Sequence, residues 1–224
     1  MRDPSNSADP KPRIRSVCRG SVREEGVDGG GPLERRWVSA FDKQPVADAV
    51  RVTTAGIDGD AVADTVHHGG PDKAVLFYAA SHYDGWRQTH PHLAWPDGAM
   101  GENLTVTGVR ETDVCIGDRY AVGDEVVIEV SQPRAPCWKI NRRWADGSLL
   151  KEVVRTGRTG WYGRVVTGGT MRRGDACELI ARPNPRWDVH RCNEVYFRRD
   201  DDASDLRELP QLSPAWTEGL PTSA

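Results

Sequence analysis

No stretch of this 224-residue chain approaches the run of about 20 apolar residues that a helix needs to cross a bilayer. Its first residues, MRDPSNSADPKPR, lack the apolar core of a secretion signal. C-x-x-C pairs are absent, which argues against a zinc ribbon or a dithiol redox site. G-x-S-x-G, Walker A, H-E-x-x-H and a strand-linked G-x-G-x-x-G are absent as well. An excess of one charge is also missing. The formal net charge of −3 offers no case for nucleic acid or a membrane as the main partner, so any basic site must be local. Together these absences predict a cytoplasmic protein whose cysteines stay free of disulfides.

What is present reads as globular: 38% hydrophobic and 28% charged residues, in a length that can bury a real core. Residues 1–12 are rich in Pro, Ser, Asp and Asn and read as a disordered lead-in. From 13 to 182 strand signals dominate. In "GDEVVIEVS", Val126, Ile128 and Val130 alternate with Glu125, Val127 and Glu129, the period of a half-buried strand. "CIGDRY" and "GDACELIAR" repeat a Gly-Asp turn feeding a strand, and Ile14–Cys18, 37–41 and 49–53 supply further strand candidates. Such turns between short apolar runs predict a mainly β fold, a barrel or closed sandwich. Ala79–Gln88 and Leu149–Arg155 are the helix candidates. After Arg182 the alternation stops. Asn184-Pro185 and Ser213-Pro214 start helices there, so 183–224 reads as a small helical extension.

Four constellations carry candidate chemistry. In "SQPRAPCWKIN" the prolines at 133 and 136 stiffen the path to Cys137. Arg134 and Lys139 add nearby positive charge, which favours thiolate over thiol. The plain alternative is a buried structural cysteine, and that reading covers the other four: Cys18, Cys115, Cys177 and Cys192. In "DTVHHGGPDKAV", Gly69 and Gly70 let backbone N–H groups approach an anion beside His67 and His68, of which at most one should face a given pocket. In "MGENL", the Asn103 amide can read a heterocycle edge. In "TGRTGWYGRVV", glycines with Arg158 and Arg164 suit a phosphate or carboxylate, and "FDKQP" adds Asp42 and Lys43. One thiol, several cationic Gly-bearing loops and a β scaffold fit an anionic, sulfur-liganded cofactor better than a hydrolase.

In this order, "DKQPV", "AGIDGDAVADTVHHGGPDKAV", "GAMGENLTVTG", "IGDRYAVGDEVVIEVSQPRAPCWKIN" and "TGRTGWYGRVV" resemble the MOSC domain, the molybdenum cofactor sulfurase C-terminal domain, in its stand-alone bacterial YiiM-like branch. The likeness spans roughly 13–182, and the tail is similar to that branch's three-helix extension. The resemblance implies a β-barrel that binds the molybdenum cofactor, a pterin dithiolene with a terminal phosphate, and a cysteine thiolate that completes the metal's coordination. In the amidoxime-reducing relatives that cysteine lies further along. Here residues 138–176 contain no Cys, so Cys137 is the only motif-placed candidate for that ligand. The branch is associated with reduction of N-hydroxylated compounds, including hydroxylaminopurines, with electrons from a separate flavin-containing reductase. On that reading Lys43, Gly69, Gly70, Ser131, Arg134 and Arg158 hold the pterin and its phosphate. Asn103 orients pterin or substrate, and His67 or His68 binds at the loop and delivers a proton. The alternative is a carrier or sulfur-transfer module without turnover. A homodimer is a further expectation.

Overall fold

A computed structural model describes residues 11–198 and 203–220. Most of the expected lead-in and the last four residues of the tail therefore lie outside the described residues. Strand β1 (Arg13–Arg19) leads into β2 (Arg23–Glu25) and β3 (Trp37–Ser39), which form their own hairpin. Then come β4 (Gln44–Val46), β5 (Val50–Thr53) and β6 (Gly56–Ile57), a 3-10 turn (Pro71–Lys73), β7 (Val75–Ala79) and helix α1 (Ser81–Thr89). Strands β8 (Leu104–Thr107), β9 (Arg119–Val122) and β10 (Val126–Pro133) follow. Next are α2 (Lys139–Trp144), α3 (Leu149–Thr156), β11 (Trp161–Thr167), β12 (Gly169–Met171) and β13 (Cys177–Ala181). Helices α4 (Val189–Arg198), α5 (Ser204–Arg207) and α6 (Pro214–Gly219) complete the described chain.

The mainly β expectation holds. Eight strands form one curled sheet in the order β13-β9-β10-β11-β7-β8-β1-β4, antiparallel except for the β7–β8 pair. The ends of β1 and β13 meet: Ile14 N donates to Asp175 O at 2.9 Å and Cys177 N to Pro12 O at 2.8 Å. These bonds satisfy backbone groups that an open edge would leave exposed.

Strand β10 buries Val126, Ile128 and Val130 on the inner side, as the alternation predicts. Its other face departs from the half-exposed pattern, because the C-terminal segment covers it. Glu129 is buried between Arg119 (2.7 Å) and Arg164 (3.0 Å), and Arg164 also donates to Gln211 O at 3.0 Å. Ser213 N donates to Ser131 O at 3.0 Å. Trp187, Val189, Val195 and Trp216 of the tail share one apolar cluster with the barrel residues Ile116, Ile128 and Val130. A second cluster, with Tyr78, Trp86, Trp95, Ile140 and Val153, packs α1–α3 against the other end of β7.

Two elements are not anticipated from the sequence, Val75–Ala79 and Lys139–Trp144. Val75–Ala79 is a strand buried along its whole length, and α1 begins two residues after its end. "CIGDRY" is the expected Gly-Asp turn feeding a strand, with β9 starting at Arg119. Lys139–Trp144 is a helix directly after the cysteine loop.

Candidate functional site

A cavity of about 310 Å³ opens where the 55–74 loops, the end of β10 and the start of α2 meet. Its wall is built from the buried side chains of Lys43 and Asn103 and the partly buried Asp60. Lys43 pairs with Asp60 Oδ1, which also accepts Gly20 N at 2.8 Å. Asp60 Oδ2 accepts Asn103 Nδ2 at 2.8 Å, and Asn103 Oδ1 accepts Leu76 N at 3.1 Å. Both ends of the Asn103 amide are therefore taken by protein groups. The side chain holds Asp60 and the β7–β8 junction and also lines the cavity.

Arg134 follows the last residue of β10 and is only 4% exposed. Its Nη2 donates to Met100 O at 3.1 Å, its guanidinium lies 5.9 Å from the Phe41 ring, and its Nη1 is buried with no hydrogen-bond partner. A buried cation with an unpartnered donor costs several kcal/mol, which an anion in the cavity would offset. Lys73 and Lys139 line the same cavity. Four cations thus face one carboxylate, and that carboxylate is matched to Lys43. The excess field registers at His68. Burial first, then Lys139, hold its imidazole down to about 4, with Arg134 and Lys73 adding to the effect and Asp64 opposing it.

Cys137 is half-buried on the loop between β10 and α2 and lines the cavity. The other four cysteines are buried, and their thiols are pushed up: Cys18 and Cys177 to about 12, Cys115 to about 11, and Cys192 higher still, each mainly by burial. The split of one presented thiol and four packing thiols matches the residue-level reading.

The remaining expected residues divide. Gly69 and Gly70 line the cavity with φ of +81° and +87°, conformations that glycine adopts without strain. His67 does not face it. Its ring turns outward to Asp64 (3.2 Å) with the side chain 77% exposed, because 65–67 form a turn and not a strand. Ser131 lies behind the wall, where its hydroxyl lies 2.5 Å from Asp72 O and 3.1 Å from Tyr162 O and can tie the 3-10 turn to β11. Arg158 is also displaced. Gly157 ends α3 in a left-handed conformation, and the arginine turns toward α1, 5.1 Å over the Trp86 ring. Arg164 is spent on Asp72 and Glu129. Sequence reasoning missed Asp60, Lys73 and Tyr162 as cavity residues. Asp60 stood inside a quoted motif, but its partner Lys43 lies 17 positions away on another loop.

A curled β sheet that carries one cationic, thiol-bearing cavity defines the class of protein. The match to known proteins agrees with it: residues 64–178 fit the family model of the MOSC domain. The chain belongs to the MOSC domain family, in its YiiM-like branch. It is 39% identical over 207 residues to a protein named "Reductase" from Gibberella moniliformis, covering 91% of this chain and 36% of that protein. The chain thus spans about a third of that relative's length. It is 39% identical to the uncharacterized protein YflK of Bacillus subtilis, covering 76% of this chain and 75% of that one. The crystal structure of YiiM from Geobacillus stearothermophilus superposes with a TM-score of 0.75 at 30% identity, covering 92% of this chain and 96% of that one. No helix among the described residues is long and apolar enough to cross a membrane.

Proposed function

We propose that this chain is a cytoplasmic molybdenum-cofactor-dependent reductase of N-hydroxylated compounds such as hydroxylaminopurines, fed by a separate flavin-containing reductase. The observation that carries the reading is Arg134: a buried guanidinium with one unpartnered nitrogen, on the wall of a cationic cavity that Cys137 also lines. Family membership and the reductase-named relative support the same reading.

The donor set fits the cofactor. Among the described residues no cluster of three or more His, Cys, Asp or Glu could hold a bare metal ion. A metal here would have to arrive with ligands of its own, as a dithiolene does, and take one soft thiolate from the protein. Cys137 would be that ligand. Arg134, Lys139, Lys73 and the Gly69–Gly70 backbone would hold the phosphate and pterin. The bound cofactor would supply two-electron redox chemistry. The protein's own part is to fix the anion and to keep an imidazole, His68, in the same cavity.

The test is anaerobic purification with molybdenum analysis, followed by a viologen-linked assay on 6-hydroxylaminopurine. Stoichiometric molybdenum with turnover is the expected result. A protein that holds the cofactor yet reduces no N-hydroxylated substrate is a carrier, and the reductase reading fails.

A further inference from the structure

We propose that an oxyanion in this cavity and a proton on His68 bind together, so that His68 becomes a proton donor only when the cation cluster is occupied. The coupling rests on the cavity alone. The use of that proton in N–O cleavage rests on the reductase reading above.

The geometry sets the argument. His68 shares the cavity with cations from three other elements: Arg134 from the end of β10, Lys139 from α2 and Lys73 from the 3-10 turn. Its own loop supplies one opposing carboxylate, Asp64. From the remaining walls come the Lys43–Asp60 pair, the Cys137 thiol and the Tyr162 phenol. Burial first, then like charge from Lys139, Arg134 and Lys73, disfavour an imidazolium here and hold the ring down to about 4. An oxyanion among the same cations supplies the missing opposite charge and stabilises the imidazolium.

The sign follows from linkage. The free-state value is low and the anion-bound value is higher. The extra affinity is therefore complete below the free-state value and is lost as pH rises through the bound-state value. Between the two, anion affinity falls about tenfold per pH unit. In the reductase reading, a hydroxylamine takes two electrons from the flavin partner and two protons. The N–O bond breaks, the leaving hydroxyl takes the His68 proton to become water, and the nitrogen takes the second proton from solvent. Solvent then restores the proton on His68. The neutral His68 of the empty cavity has no such proton to give at neutral pH.

Sulfate is the probe, because it keeps both charges across the range from about pH 5 to about pH 8 in which His68 would titrate. Calorimetry on the cofactor-free protein in two buffers of different ionisation enthalpy reads both affinity and protons taken up. Wild type should gain up to one proton per sulfate and lose about tenfold in affinity per pH unit over part of that range. His68→Asn should bind sulfate with no proton uptake from this source and a shallower slope. A thiolate at Cys137 would weaken sulfate equally in both proteins, so the difference between them reads His68. Equal slopes in the two proteins, or no sulfate binding at all, would overturn the proposal. The viologen assay separates the two claims. If sulfate and proton are linked but no N-hydroxylated substrate turns over, only the reductase reading falls. If wild type turns over and loaded His68→Asn keeps its rate and pH profile, His68 is not the donor.

Discussion

Asn103 Nδ2 donates to Asp60 Oδ2 at 2.8 Å, and through that bond one buried amide sets the position of the only carboxylate in the cavity wall among the described residues. The same amide accepts Leu76 N. Asn103→Ala removes a donor and an acceptor and leaves both partners buried and unmatched. The expected cost is about 2–4 kcal/mol, since each unsatisfied buried group costs about 1–3. Urea unfolding reads it as a lower midpoint at unchanged slope. A midpoint equal to wild type would mean that these two bonds do not hold the β7–β8 junction.

Arg134 behaves in the opposite way. It is buried with Nη1 unpartnered, so the cofactor-free protein carries its desolvation without the matching anion. Arg134→Met keeps much of the volume and removes the charge. Replacing a poorly compensated buried ion by an apolar side chain is often neutral or stabilising. The expected change in stability is within about 1 kcal/mol, the lost bond to Met100 O included. Sulfate affinity should fall at least tenfold. A variant that binds sulfate as wild type does would remove Arg134 from the anion site.

Cys137 stands apart from four buried thiols, all of them pushed up by burial. Brief iodoacetamide treatment of the native protein should therefore place one label, on Cys137, and denaturant should expose all five cysteines. Peptide mass spectrometry decides it. Because the side chain is only half-buried, Cys137→Ser should cost under about 1 kcal/mol, while molybdenum content drops. Full molybdenum retention in that variant would show that another group binds the metal.

How much of this was legible from residues follows from where the determining contacts lie. The inner face of β10 was legible because Val126, Ile128 and Val130 alternate locally. The burial of Glu129 was not, because Arg119, Arg164 and the segment around Gln211 that cover it are distant in sequence. The run Val75–Ala79 carries no alternation, because both faces of that strand are buried, and periodicity is silent on such a run. In the site, Cys137, Arg134 and the Gly69–Gly70 turn were legible from local chemistry. Arg158 looked alike on paper. Its direction is set by the left-handed Gly157 and the Trp86 ring, a tertiary choice that composition does not encode.

Glu111 offers a test of the scaffold away from the cavity. Its Oε2 lies 2.6 Å from His82 Nε2 on α1, and its Oε1 accepts Gly160 N at 2.7 Å just before β11. Its carbonyl accepts His190 N from α4 at 3.1 Å. One buried side chain thus joins α1 to the start of β11. Glu111→Ala leaves the His82 ring nitrogen and the Gly160 N–H unmatched, at an expected cost of about 2–4 kcal/mol. Glu111→Gln keeps an acceptor for Gly160 and an amide for His82, so it should fall between. The urea midpoints should run wild type, Glu111→Gln, Glu111→Ala, while sulfate affinity stays within about twofold at fixed pH, because none of these contacts reaches the cavity. Equal midpoints in all three would mean that the α1–β11 junction is held by packing alone.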